Sequence, residues 1–423
     1  MADQSKAQAS LLDRSPDTPI VKLPIGDRAI LYNVLMQDAL LRYRSEFPIL
    51  ERTNYLISNS LGAMPRAVYA SLKNYADTWA TRGVRAWEEG WWMLGAEVGD
   101  ELGVLLNAPK ASVSTHQNVT TCQAIVASCL DFSGKRNKVV YTDMNFPSVM
   151  YFWEAQRAYG AQVHMVKTDD GITVPTERLL AAIDEQTLVV PISHVIFRSA
   201  YINDAKAIIE KAHSVGAYVV LDTFQSLGTI PVDVQALKPD FACGGVLKWL
   251  CGGPGVAYLY VRPDLARKLE PRFTGWTAHQ QPFNFEVGPI RYTDPPYRFM
   301  NGTPHIPSLE AARPGIRIIT EVGVEKIREK SKRQTAKLID LADQRGWRVH
   351  TPREPEKRGG TVSIDMPDSQ EVCRELLQRN ILVDWRPQAG VRMSPHFYTT
   401  DDELEVALQA VDEILKSRAV STR

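Results

Sequence analysis

Two short apolar runs in the middle of the chain each lead to one charged residue. The run from Tyr218 to Leu221 leads into Asp222, and the run from Asp240 to Gly245 leads to Lys248. A glycine- and proline-rich loop, residues 252–255, follows the lysine. An amine is a useful nucleophile only when it is neutral, and apolar neighbours lower a lysine pKa because they disfavour the charged form. The pattern therefore predicts a reactive lysine near a buried carboxylate.

This pair of residue types suits a charged aromatic cofactor such as pyridoxal phosphate. The lysine amine can form a Schiff base with the cofactor, and a carboxylate can keep the pyridine nitrogen protonated so that the ring stores electrons. Lys248 suits the first task and Asp222 the second. The spacing alone also allows an alternative, in which Asp222 caps a turn and Lys248 is a surface residue whose stem lies along Trp249.

The same segment resembles the cofactor-binding segment of the aminotransferase class V group of pyridoxal-phosphate enzymes and, within that group, kynureninases. The matching pieces are Asp222-Thr-Phe-Gln225-Ser, Gly228-Thr-Ile-Pro-Val-Asp233, Asp240-Phe-Ala, and Lys248 before the glycine-rich loop. The likeness extends from about residue 50 to about residue 415. It implies the fold of type I pyridoxal-phosphate enzymes, with Gln225 near the phenolic oxygen of the cofactor.

The resemblance also assigns three residues before this segment. Val119 and Thr120 begin an apolar helix and match the positions that hold the cofactor phosphate, through a backbone amide and a hydroxyl group. A helix start is a natural anion site because its free amides and dipole point there, although plain capping is the alternative. Phe146 matches the phenylalanine that stacks on the pyridine ring, and otherwise it belongs to the core.

Three later residues complete the predicted site. Trp276 and Thr303 lie in a long irregular segment, residues 272–304, which resembles loops that reach the neighbouring subunit's cofactor. A homodimer with shared active sites follows from that resemblance. Arg392 matches the family arginine that holds the substrate α-carboxylate, because a planar guanidinium can make two parallel hydrogen bonds to it. The alternative for Arg392 is a surface ion pair.

Alternating strand and helix patterns must position these residues. Between residues 138 and 222 the order of strand, helix and strand predicts an α/β fold with a mostly parallel sheet covered by helices, which binds ligands at the carboxyl ends of its strands. We expect a large cofactor-binding domain at residues 61–300 and a smaller α+β C-terminal domain at residues 301–423. Residues 1–60 are predicted to form a polar arm, to about residue 25, and a helix from Arg28 to Phe47.

The composition restricts the possible partners. The 423 residues are 44% hydrophobic and 23% charged, with a formal net charge of +0, so no charge excess favours nucleic acid or an anionic membrane. None of the five cysteines forms a Cys-x-x-Cys pair, and no two histidines have the spacing of metal ligands. No apolar run is long enough to span a membrane. These patterns predict a cytoplasmic protein with no metal, and the family resemblance implies a small amino-acid substrate.

The leading hypothesis for the reaction is that of kynureninases, hydrolysis of the Cβ–Cγ bond of kynurenine to anthranilate and alanine. Four positions depart from the kynureninase pattern: Val149, Gln225, Leu247 and Thr293. A class V aminotransferase and a β-eliminating C–S lyase therefore remain alternatives. A desulfurase requires a cysteine on a C-terminal loop, and residues 392–398 contain none. A non-catalytic binding protein also remains possible, although the lysine and the aspartate are both present.

The segment from residue 81 to residue 93 contains Trp87, Trp91 and Trp92. Helix packing or a dimer contact is the favoured interpretation, and an aromatic wall of the substrate site is the alternative.

Overall fold

The computed structural model describes residues 38–421. The predicted polar arm lies outside these residues, and of the helix predicted from Arg28 to Phe47 the described part forms a 3-10 helix, Ala39–Glu46. The chain divides into two units between Arg42 and Tyr43, and the second unit contains every strand that is described.

The second unit alternates strands and helices. In chain order the strands are β1 (Asn54–Tyr55), β2 (Val113–His116), β3 (Lys138–Thr142), β4 (Gln162–Val166), β5 (Thr187–Ser193), β6 (Tyr218–Asp222), β7 (Phe241–Gly245), β8 (Ala257–Val261), β9 (Arg348–Val349), β10 (Val362–Asp365), β11 (Ile381–Leu382), β12 (Asp384–Arg386) and β13 (Gly390–Met393). The α-helices are Val68–Arg82, Trp91–Leu105, Val119–Ser128, Pro147–Ala155, Thr176–Ala182, Ala205–Ser214, Val234–Leu237, Pro263–Ala266, Ile306–Val322, Val324–Asp343, Ser369–Gln378 and Asp401–Ser421.

A seven-stranded sheet is the centre of this unit, with the strand order β2-β8-β7-β6-β5-β3-β4. The five strands from β7 to β4 are parallel, whereas β8 is antiparallel to both of its neighbours. Its inner strands are continuous apolar runs, as expected for a sheet covered on both faces. In the β5–β6 pairing Ser193 lies opposite Asp222, so both residues stand at the carboxyl edge of the sheet.

A smaller antiparallel sheet follows in the C-terminal region, with the strand order β12-β13-β10-β9. Three helices, Val324–Asp343, Ser369–Gln378 and Asp401–Ser421, contribute apolar residues to the core around it. The early strand β1 pairs with β11, and Leu56 belongs to the same core. The two sheets confirm the predicted fold class, while the domain boundaries at residues 60 and 300 stay predictions.

No helix between residues 38 and 421 is both long enough and apolar enough to cross a bilayer.

Candidate active site

Lys248 lies in the turn that follows β7, beside two aromatic rings. Its Nζ is 4.3 Å from the centroid of the Phe224 ring and 5.6 Å from that of Phe146. Burial lowers the pKa of Lys248, and the nearby carboxylate of Asp222 opposes that shift. Because the shift favours the neutral amine, this lysine is chemically suited to act as a nucleophile and as a proton acceptor.

Asp222 is the last residue of β6 and is only 6% exposed. Its Oδ1 accepts a hydrogen bond from the backbone amide of Phe224 at 2.9 Å. Burial raises the pKa of Asp222, while that amide and the charge of Lys248 oppose the shift. A carboxylate that is costly to keep charged is a good partner for a protonated ring nitrogen, because the two charges then compensate each other in a site with little water.

A cavity of about 270 Å³ lies between these groups. It is lined by Asn118, Val119, Thr120, Phe146, Ser148, Val149, Ser193, Val195, Phe197, Asp222, Phe224, Gln225, Leu247 and Lys248. The fold therefore brings together six of the predicted site residues, which come from four separate segments of the chain. Its walls are mainly apolar and aromatic, as is usual for a cofactor site with a few polar groups.

The helix Val119–Ser128 points its first turn at this cavity. The side chain of Asn118 caps the helix by accepting a hydrogen bond from the Thr121 amide at 2.9 Å. Among the described residues, no acceptor is found for the backbone amides of Val119 and Thr120. These amides are the free donors of a helix start, so an anion such as a phosphate fits here. With the aromatic walls, the buried carboxylate and the lysine, the donor set fits pyridoxal phosphate.

Gln225 is held by hydrogen bonds at both ends of its amide. Its Oε1 accepts from the indole Nε1 of Trp249 at 2.9 Å, and its Nε2 donates to the backbone oxygen of Asn59 at 3.0 Å. The side chain of Asn59 is oriented by its own partners. Its amide oxygen accepts from Arg392 Nη2 at 3.0 Å and its nitrogen donates to Ser394 Oγ at 2.9 Å, the orientation that a guanidinium donor requires.

Arg392 lies on β13, behind this network, and is 3% exposed. It makes a bidentate ion pair with Asp384, from Nε to Oδ1 at 2.7 Å and from Nη2 to Oδ2 at 2.5 Å. Its Nη1 donates to the backbone oxygen of Phe197 at 2.6 Å. Arg392 does not line the cavity, but its charge acts on Lys248 strongly enough to lower the pKa of that lysine further.

The two loop residues predicted to serve a neighbouring subunit lie apart from Lys248. Thr303 lines a separate cavity of about 250 Å³ together with His116 and Asn301. Trp276 lines another, with Phe285. Within the chain as described, neither residue joins the lining of the Lys248 cavity.

The tryptophan-rich segment is a packing region in this chain. Trp91 stacks on Tyr75 at 5.5 Å and meets Trp87 edge-on at 5.4 Å, while Trp92 lies 5.3 Å from Trp276. As far as the structure describes the chain, none of the three tryptophans lines the cavity. The contacts agree with the favoured interpretation of helix packing.

The residues of the site that were not predicted from the sequence include Asn59, Phe197, Phe224 and Asp384. Phe224 had a local signal, because it follows Asp222 by two residues at a strand end. Phe197 also follows a strand end, after β5. Asn59 had none, since its contacts depend on how distant segments pack. Asp384 had none, since its contact depends on the register of β12 and β13.

Comparisons with known proteins agree with this geometry. The family model described as aminotransferase class-V matches residues 54–405. A kynureninase from Bacillus thuringiensis subsp. konkukian (strain 97-27) is 29% identical over 395 residues, covering 90% of this chain and 92% of that protein. An uncharacterized aminotransferase, YcbU from Bacillus subtilis (strain 168), is 31% identical over 374 residues, covering 88% and 96%.

Solved structures show the same fold. The apo structure of a cysteine desulfurase from Thermococcus onnurineus NA1 has a TM-score of 0.79 at 22% identity, covering 89% of this chain and 98% of that one. A cystine C-S lyase, C-DES, in complex with cysteine persulfide has a TM-score of 0.78 at 18% identity, covering 86% and 98%. Since the family model covers most of the sequence, this chain belongs to the aminotransferase class-V family of pyridoxal-phosphate-dependent enzymes.

Proposed function

We propose that this enzyme acts on an amino acid in the cavity around Lys248 and that Lys248 holds the cofactor aldehyde through its Nζ. The observation that carries the proposal is the joint presence of Lys248 and Asp222 in one aromatic-walled cavity. The amides of Val119 and Thr120 would hold the phosphate, and Phe146 would cover one ring face. Asp222 would face the ring nitrogen, and Gln225 the phenolic oxygen.

When bound, pyridoxal phosphate supplies an electron sink for the bonds at the substrate α-carbon. The chain supplies the acid–base group. The Nζ of Lys248 would accept the α-proton of a bound substrate as a neutral amine, because burial disfavours its charged form. Leu247 and Val149 line the same cavity and add apolar surface to it.

Arg392 is the residue proposed to bind the substrate α-carboxylate. Its guanidinium already has Asp384, the Phe197 oxygen and Asn59 as acceptors, which fixes its position. A substrate carboxylate would therefore take the remaining Nη1 hydrogen or replace Asp384 at the guanidinium. We expect Arg392→Lys to raise KM for the amino acid, since a lysine cannot reproduce the planar fork. An unchanged KM would remove Arg392 from substrate binding.

For the reaction, we propose hydrolysis of kynurenine to anthranilate and alanine. It is supported by the relatives named kynureninase, which match over nine-tenths of this chain, and by the apolar cavity, whose three phenylalanines suit an aromatic side chain. Transamination is the second candidate. It is favoured by the relative named as an aminotransferase and by Leu247, which stands where kynureninases have a tyrosine.

The test is anthranilate fluorescence on purified protein supplied with pyridoxal phosphate and kynurenine. We expect anthranilate release from the wild type and none from Lys248→Ala. The matched control is Lys206→Ala, because that lysine is 73% exposed and its removal should change nothing. No anthranilate from a wild type whose visible absorbance responds to other amino acids would exclude kynurenine hydrolysis and favour transamination.

We also propose a homodimer in which Trp276 and Thr303 reach the other subunit's cofactor. The segment that contains them exposes Phe283, Phe285 and Val287, apolar side chains that a partner surface can cover. Light scattering should give the mass of a dimer. Mixing inactive Lys248→Ala with a weakened Thr303→Ala variant should restore activity beyond that of either alone, because one site per mixed dimer is intact. A monomer, or no restoration, would refute shared sites.

A further inference from the structure

We propose that Trp249 is a positioning residue that fixes the amide of Gln225, so that this amide presents an N–H group to the cofactor cavity. The inference rests on the proposed location of the cofactor in this cavity. It concerns a residue outside the lining, directly after Lys248, that acts through a hydrogen bond to a lining residue.

The hydrogen bonds determine the orientation of the amide. An indole N–H can only donate, so the Gln225 atom that faces Trp249 Nε1 at 2.9 Å must be the oxygen. A backbone carbonyl can only accept, so the atom that faces the Asn59 oxygen at 3.0 Å must be the nitrogen. Both contacts select the same orientation. The Nε2 of Gln225 has two hydrogens, and the bond to Asn59 uses one of them, so the other is available to the cavity that Gln225 lines.

Trp249 is itself held tightly enough to serve as a fixed donor. It is 1% exposed. Its ring packs so closely against Gly360 that a Cβ at that position would lie only 2.7 Å from it. The ring of His396 meets it edge-on at 5.4 Å, and His396 Nε2 lies 2.9 Å from the Trp249 backbone oxygen. Because Trp249 is the next residue after Lys248, the contacts that lock the indole also locate the turn that bears the lysine.

This arrangement has a chemical consequence in the cavity. An N–H group that points at the anionic phenolic oxygen of the bound cofactor stabilises the more negative of the cofactor's two protonation states. It therefore lowers the pH at which the cofactor loses its proton. If the indole is removed, Gln225 Oε1 loses the one donor that residues 38–421 provide, and the amide gains freedom to turn its oxygen toward the cavity. An oxygen in that place would repel the anion, and the pH of proton loss would rise.

The test is a pH titration of the visible absorbance of the cofactor-loaded protein. We expect Trp249→Phe to raise the midpoint by about half a pH unit or more, because the phenyl ring keeps the packing but has no N–H group. The matched control is Trp153→Phe. That residue is equally buried and its indole also donates to a glutamine oxygen, Gln123 Oε1 at 2.8 Å, but neither residue lines the cavity. Its midpoint should equal that of the wild type.

A second variant separates positioning from general disturbance. Gln225→Leu removes the amide itself, so the double variant with Trp249→Phe should show the same midpoint as Gln225→Leu alone. A wild-type midpoint in Trp249→Phe, or additive shifts in the double variant, would overturn the inference. Failure of the wild type to develop visible absorbance with pyridoxal phosphate would instead refute the proposed function, and this inference with it.

Discussion

The ion pair between Arg392 and Asp384 is a sensitive point of the proposed site. Asp384 accepts two parallel hydrogen bonds from Arg392, and its Oδ2 also lies 3.1 Å from Arg386 Nη2. The Asp384→Ala substitution removes the carboxylate and leaves the guanidinium buried. The loss of stability in this variant therefore measures how much the Asp384 carboxylate stabilises the fold by neutralising Arg392. Arg392 is the residue that we propose binds the substrate carboxylate.

The magnitude follows from burial. Removing one partner of a buried ion pair costs about 3–5 kcal/mol, since an uncompensated charge remains inside the protein. Here the backbone oxygen of Phe197 and the amide of Asn59 still accept hydrogen bonds from Arg392. We therefore expect a loss near the lower end of that range, about 3 kcal/mol in the free energy of unfolding.

Urea unfolding of the apo protein measures this loss, and the chain offers a matched control. Asp169 makes the same bidentate contact with Arg178, at 2.7 and 3.1 Å, but the two side chains are 72% and 51% exposed. Asp169→Ala should cost about 0–1 kcal/mol, because water solvates the freed charge.

A double variant tests the cause of the loss. Arg392→Met together with Asp384→Ala removes both charges and keeps apolar volume, so it should recover much of the stability that Asp384→Ala loses. If Asp384→Ala costs no more than Asp169→Ala, or if the double variant is as unstable as the single one, an unpaired buried charge is not the cause and the reasoning is wrong.

Two further predictions concern the surroundings of the site. A Cβ at Gly62 would lie 2.1 Å from the Lys248 carbonyl oxygen. Gly62→Ala should therefore cost about 1–3 kcal/mol of unfolding free energy, measured in urea, and weaken cofactor uptake. Gly134→Ala should do neither, because a Cβ at Gly134 has open space around it. Burial lowers the pKa of His116 from 6.5 to about 3, so the unfolded chain gains a proton first and stability falls as pH decreases below 6.5. His116→Gln should reduce the slope of the unfolding free energy against pH by about 1.4 kcal/mol per pH unit. The control is His164→Gln, at an exposed position. An equal slope in the wild type and in His116→Gln would contradict the prediction.

The sequence predicted the groups that stand at strand ends. Asp222 and Lys248 were recognisable because an apolar run ending in a charge is a local pattern, and parallel strands bring their carboxyl ends to one edge. Val119 and Thr120 were recognisable because a helix start is also local. These residues could be located without knowledge of any long-range contact.

The partners of these groups were not predictable in the same way. Asp384 faces Arg392 through the β12–β13 register, which depends on the hairpin between them. Asn59 joins Gln225 to Arg392 although 166 residues separate it from Gln225. Such contacts depend on strand register or on packing between distant segments, for which a single sequence has no periodic signal. Trp276 and Thr303 present a different limit, because their proposed role requires a second chain.

The departures from the kynureninase pattern have a common physical feature. Val149, Gln225 and Leu247 all line the Lys248 cavity, and two of them are apolar. Among the lining residues only Asp222 and Lys248 are ordinarily ionisable at neutral pH. If hydrolysis occurs here, Lys248 would therefore serve both the α-carbon and the attacking water, since Asp222 is the group that we propose faces the ring nitrogen. Transamination also needs more than removal of the α-proton, because a second proton transfer and a water are required to release the keto acid. Both proposed reactions therefore depend on Lys248 as the acid–base group, and the product that forms, anthranilate or a keto acid, decides between them.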